Sequence, residues 1–194
     1  MKTEKLNRKK LHFKSLSERL SKSSIEDILI DPSSKPPQIP VGYEAKLENL
    51  VHSMRLSREN NAPIVWAFGA HLVKNGLSKI LNELIKMGYV QHLLANEAVV
   101  IHDWELAYHG KTEEDVKENI AKGEFGLWEE TGKYINMAIR FGARNNMGYG
   151  ESVGKFICDE ELEEGEGEII HDFKQYSILS GAYRLKIPFS VGVS

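Results

Sequence analysis

A single cysteine, Cys158, stands in 194 residues. That excludes an internal disulfide and any zinc site built on several thiolates, and it suits a reducing, cytoplasmic setting. No apolar run approaches the roughly 20 residues that cross a bilayer. The N-terminus, MKTEKLNRKKLHFKSLSERLSK, is basic but lacks the apolar stretch of a signal peptide. The formal net charge of -3 sets aside a globally basic surface, so neither nucleic acid nor a membrane is expected as partner. Walker loops, Gly-x-Ser-x-Gly elbows and His-Glu-x-x-His helices are missing. The acidic stretch DEELEEGEGE (159–168) lacks the ligand spacing of a calcium loop and reads as a solvated loop, so no metal is expected.

The 41% of hydrophobic residues supports one domain with a real core. Residues 1–40 read as a basic N-terminal arm or helix followed by a linker. Lys2, Lys5, Arg8, Lys9, Lys10, Lys14, Arg19 and Lys22 make the arm basic, and four prolines in DPSSKPPQIP (31–40) forbid a regular element. Residues 41–194 form the domain. A helix is predicted over 43–58 from Leu47, Leu50, Val51 and Met54.

The most informative stretch is 63–109. Ile64 to Phe68 is a short continuous apolar run suited to a strand buried on both faces, and Gly69 breaks it. Leu77, Ile80, Leu81, Leu84 and Ile85 lie on one face of a following helix that Gly88 stops. Val90 to Ala95 reads as a second strand, and a helix over about 97–108 ends at Gly110. A helical crossover between two strands makes them parallel. Farther on, Thr112 with Asp115 resembles a capping box opening a short helix. Helices are also predicted over 124–141, 151–164 and 169–185. A final strand at 187–194 ends the sequence inside an apolar run, as part of a longer protein would. The fold class is therefore α/β: a Rossmann-like three-layer α/β/α arrangement with a mostly parallel sheet and a helical N-terminal extension.

Ligands of open α/β sheets bind at the carboxyl ends of the strands. Gly69-Ala70-His71 follows the first strand, where a glycine lets backbone N–H groups approach a phosphate or ribose, or serves the turn alone. Asn96-Glu97 follows the second, and Glu97 either takes ribose hydroxyls or sits in the helix's first turn for the macrodipole. His102, Asp103 and Glu105 lie on the next helix, where His102 and Asp103 point about 100° apart. Histidine can relay protons near neutral pH, which makes His102 and His71 candidates. NNMGYGESVG (145–154) concentrates glycine, either as an anion-binding nest or for close helix packing.

The stretch WAFGAHLVKNGLSKILNELIKMGYVQHLLANEAVVIHDWELA resembles the NAD-binding core of deoxyhypusine synthase. It is also similar to deoxyhypusine synthase-like bacterial proteins and to the NAD-binding domain of ornithine- and arginine-degrading enzymes. The resemblance implies NAD at the strand edge, contacted by Gly69, Ala70 and His71 and by Asn96, Glu97 and Ala98. It implies His102 and Asp103 as catalytic residues, with Asp103 near a polyamine site. It further implies a small-molecule amine substrate, transferase or amine-oxidising chemistry, and a homo-oligomer. The alternative is a non-catalytic NAD-binding or oligomer-forming module of a longer protein.

Overall fold

The computed structural model describes residues 7, 10–161 and 167–192. Three parallel strands carry the fold: β2 (Val65–Phe68), β3 (His92–Asn96) and β5 (Phe189–Gly192), in the order β2-β3-β5. Between β2 and β3 run the short α3 (His71–Lys74) and the amphipathic α4 (Ser78–Lys86). Gly88, at positive φ, ends α4 as the sequence predicts. From β3 the chain turns directly into α5 (Glu97–His109), which stops at Gly110 in the left-handed conformation.

Register partners of a parallel pair point to the same face. Trp66, Phe68, Leu93, Ala95, Phe189 and Val191 therefore form one face, and it belongs to the core. The opposite face carries Val65, Ala67, Leu94, Asn96 and Ser190, with Val65 57% and Leu94 44% exposed. The α/β class and the parallel sheet are as predicted, but among the described residues the layer expected over this second face is not in place.

The long connection from β3 to β5 is mostly helical: α6 (Val116–Lys122), α7 (Glu129–Arg144), α8 (Tyr149–Asp159) and α9 (Ile178–Arg184). The single helix predicted over 169–185 is instead a 3-10 turn, Lys174–Tyr176, followed by α9, because Ser177 caps a fresh start by accepting from the Ser180 N–H. Two of the glycines of NNMGYGESVG, Gly150 and Gly154, serve packing, whereas a Cβ on Gly148 would meet nothing within 4 Å. A Cβ on Gly154 would stand 2.5 Å from the Leu179 carbonyl oxygen, and one on Gly150 2.4 Å from that of Phe189. Helix α8 thus lies directly on α9 and β5.

Two sequence expectations are corrected. The N-terminal extension is not helical where it is described beyond residue 14. A 3-10 turn (Leu16–Glu18) leads into β1 (Ser21–Ser24) and the single turn α1 (Ile25–Ile28). β1 pairs antiparallel with β4 (Lys111–Glu114), and Leu16 and Ile25 are buried. Lys14 and Lys22 pair with Glu124 and Asp115. Among the described residues, Lys14, Arg19 and Lys22 of this segment pair with the protein's own acids. Thr112, read as a cap, sits inside β4; Asp115 caps α6 by accepting from the Glu118 N–H.

Trp104, Tyr108, Phe156 and His171 make an aromatic cluster, with the His171 ring 5.0 Å from Phe156 and perpendicular to it. Burial pushes the His171 imidazole down to about 4 from 6.5, with the Glu160 charge and the Ile169 backbone working in the other direction. A base whose folded pKa is depressed binds its proton more readily when unfolded, so folding loses stability as pH falls. Unfolding free energy is expected to drop by about 3 kcal/mol between pH 7 and pH 4 through this group. Urea denaturation across that range checks it, with His171→Phe expected to flatten the dependence.

Candidate functional site at the carboxyl edge of the sheet

The registers bring the predicted turns together. Phe68 stands beside Ala95, so Gly69 and Asn96 leave the sheet side by side, and β5 adds Gly192 next to Asn96. Gly69 has an ordinary φ, and a Cβ there would meet nothing within 4 Å. Neither the backbone nor the chain's own packing calls for glycine at this position, and the space in front of it is free. Ala70 precedes α3, which begins with the exposed His71.

Asn96 is the N-cap residue of α5, yet its side chain makes no capping bond and stays exposed. Glu97, half-buried, occupies the first turn, where the helix's positive end favours a carboxylate. Burial, and then the Glu97 charge, push the Tyr149 phenol at the start of α8 above its ordinary value. Ala98 follows on the same turn. The edge therefore offers free N–H groups at the start of α5, an uncommitted amide and a carboxylate, a donor and acceptor set suited to ribose hydroxyls. Gly192 was not singled out from sequence; only strand pairing brings it here.

His102 and Asp103 lie farther along α5 and face elsewhere. Asp103 is buried and accepts from the Ser177 hydroxyl at 2.6 Å and from the Ile178 and Leu179 N–H groups at 2.9 and 3.0 Å. It thereby closes the N-terminus of α9. Burial pushes its carboxyl above the ordinary value against the pull of these three donors. His102 Nδ1 lies 2.7 Å from the Thr112 hydroxyl, which itself donates to Glu105 at 2.6 Å. With that proton committed, His102 must donate through Nδ1–H. Burial lowers its pKa, with the Glu105 charge working in the other direction.

Glu105 anchors a buried network. Arg19 donates to its two oxygens at 2.7 and 2.8 Å, and the Thr131 hydroxyl donates at 2.9 Å. Arg19, counted from sequence with the basic arm, is a buried partner of this carboxylate. Among the described residues no group of His, Cys, Asp or Glu is placed to hold a metal ion, and no helix is long and apolar enough to cross a membrane.

A family described as arginine dihydrolase ArgZ-like, C-terminal, Rossmann fold, matches residues 48–142. The fold is a Rossmann fold. Solved structures agree. Apo ArgZ, an arginine dihydrolase from the ornithine-ammonia cycle in Cyanobacteria, covers 85% of this chain at 21% identity and TM-score 0.51. AgrE in ternary complex with ornithine and NAD+ covers 82% at 22% identity and TM-score 0.50, and unliganded AgrE matches alike. The chain spans about a fifth of the length of these structures. No curated protein matches. The likeness to deoxyhypusine synthase is overturned: the stretch that carried it falls within the ArgZ-like match, and the solved neighbours are arginine dihydrolases. Transferase chemistry falls with it. The similarity to arginine- and ornithine-degrading enzymes accords with the match.

The geometry makes Asp103 a structural cap. Asp103→Ala is expected to lower unfolding free energy by about 3 kcal/mol, through loss of a buried capping carboxylate. Chemical denaturation measures this loss. Ligand affinity of the folded protein is expected to stay within a factor of about two.

Proposed function

We propose that this chain is an NAD-binding Rossmann domain of a protein acting on an amino acid of the arginine or ornithine type. Gly69, Ala70 and His71 on one side and Asn96, Glu97 and Ala98 on the other hold the dinucleotide. The observation that carries the reading is the free space at Gly69, a glycine its own chain does not need, set beside the uncommitted Asn96 and the Glu97 carboxylate. The ternary complex of AgrE with ornithine and NAD+, which has the same fold, supports it.

When bound, NAD would supply hydride acceptance. The chain's own residues do the rest. Backbone N–H groups at the first turn of α5 take negative charge. Glu97 accepts from ribose hydroxyls and disfavours a 2′-phosphate. His71, exposed beside the turn, is the group placed to move a proton. His102 and Asp103 support the site indirectly by fixing α5 against β4 and α9. Because the chain spans about a fifth of its solved neighbours, a second reading stands: a binding module whose reacting groups lie elsewhere in a larger protein.

Titration calorimetry with NAD tests the proposal. Binding is expected, with Glu97→Ala and Gly69→Val each raising Kd by about tenfold or more, the former through lost hydroxyl contacts and the latter by filling the space. No measurable heat with folded protein overturns the reading. Binding that persists unchanged in Gly69→Val moves the cofactor away from this edge.

A further inference from the structure

Helix α2 (Glu44–Glu59) is set apart from the rest of the molecule: none of its residues is buried. Its C-terminal half leans on the domain. There Val51, Met54 and Arg55 form one wall of an open apolar groove of about 260 Å³, and Trp66, Leu84 and Tyr89 form the other. Arg58 lies over the Tyr89 ring at 4.9 Å and marks the rim. The N-terminal half carries the same apolar stripe onward with nothing beneath it: Leu47 is 41% and Leu50 53% exposed. One chain thus presents both an apolar ridge and an apolar groove.

The charges on α2 are ordered. At about 100° per residue, Glu44, Glu48, Arg55 and Glu59 fall along one flank of the stripe, with Arg58 between that flank and the stripe. Both arginines lie in the second half, and Glu59 follows them. Turned end for end, Glu48 of each copy meets Arg55 of the other, while Glu44 falls between Arg58 and Glu59, so the self-complementary charges are the Glu48–Arg55 pairs. An isologous two-fold contact requires such self-complementarity.

We infer that a second copy of this chain occupies the groove. The α2 helices pair antiparallel across a two-fold axis, and each inserts Leu47 and Leu50 between the other's α2 and its Trp66, Leu84 and Tyr89. The pairing covers the ridge and fills the groove in one step. It also sets opposite charges at both ends of the contact. A partner of another kind would have to reproduce ridge, groove and charge order together, whereas a second copy supplies all three.

Sedimentation velocity of the full chain over a concentration series tests this, with far-UV circular dichroism confirming that each variant is folded. The wild type is expected to sediment at twice the chain mass in the micromolar range. Leu50→Glu is expected to abolish the dimer. Glu48→Arg and Arg55→Glu are each expected to raise the dimer Kd about tenfold, since each acts at both ends of the contact. Carried together on every chain, the two substitutions are expected to restore association. This exposed charge pair carries the test where Leu50→Glu disturbs folding. A wild type that stays monomeric at every concentration overturns the inference. So does a dimer indifferent to Leu50→Glu, or a doubly substituted chain that is not rescued.

Discussion

The carboxylate of Glu105, 1% exposed, is the constraint around which the helical half of this molecule is arranged. A buried charge in an apolar helix is tolerable only when it is fully paired, and this one receives Arg19 in a bidentate fork and the hydroxyls of Thr112 and Thr131. These partners come from the N-terminal segment, β4 and α7. Removing one side of such a pair typically costs about 3–5 kcal/mol, because the other charge is left buried and uncompensated. The β1–β4 ribbon is two-stranded and would be marginal by itself. Arg19 lies just ahead of β1 and Thr112 within β4, so the same carboxylate holds both strands to α5.

Helix α5 consequently does three jobs along its length. Its first turn, with Glu97 and Ala98, faces the carboxyl edge of the sheet. One turn on, Asp103 caps α9 and His102 reaches Thr112; then Glu105 takes Arg19. Successive residues of a helix diverge by about 100°, so neighbouring positions serve unrelated surroundings. The polar cluster His102-Asp103-Glu105 looks like one site in a linear reading and is two arrangements in space: Asp103 caps α9, while His102 and Glu105 meet through the Thr112 hydroxyl. Its rigidity still matters to the edge, since a helix pinned at its middle cannot let its first turn drift from Asn96.

Periodicity made much of this legible. The strand at 65–68, the stripe of α4, the strand before Asn96 and the stop at Gly110 all follow from local pattern, although the continuous apolar run of the first strand, suited to burial on both faces, is exposed at Val65 and Ala67. What failed was what depends on distant partners. Lys111–Glu114 is polar and reads as a helix start; it becomes a strand because Ser21–Ser24 pairs with it and Glu105 draws Thr112 inward. Arg19 looks like any residue of a basic arm until Glu105 is across from it. The glycines at 150 and 154 carry the same sequence signal whether they cradle an anion or admit a neighbouring carbonyl, and the carbonyls of Phe189 and Leu179 decide for packing. In the candidate site, the two turns were legible because they follow recognisable strands. Gly192 was not, because only the parallel register brings it to that edge.

The sheet order has its own consequence for where a ligand can go. β2, β3 and β5 succeed one another in a single direction, as in one half of a doubly wound sheet. In such a half every strand points the same way, so all three carboxyl ends, with Gly69, Asn96 and Gly192, gather on one edge whatever covers the faces. The bare face with Val65 and Leu94 therefore does not loosen the definition of that edge: register fixes it, and α5 holds it from behind. The layout of this edge is set by backbone pairing first and by side chains second. The side chains singled out as catalytic candidates on α5 are occupied with structure, while the turn that looks least specific, Gly69-Ala70-His71, is the one left open to receive something else.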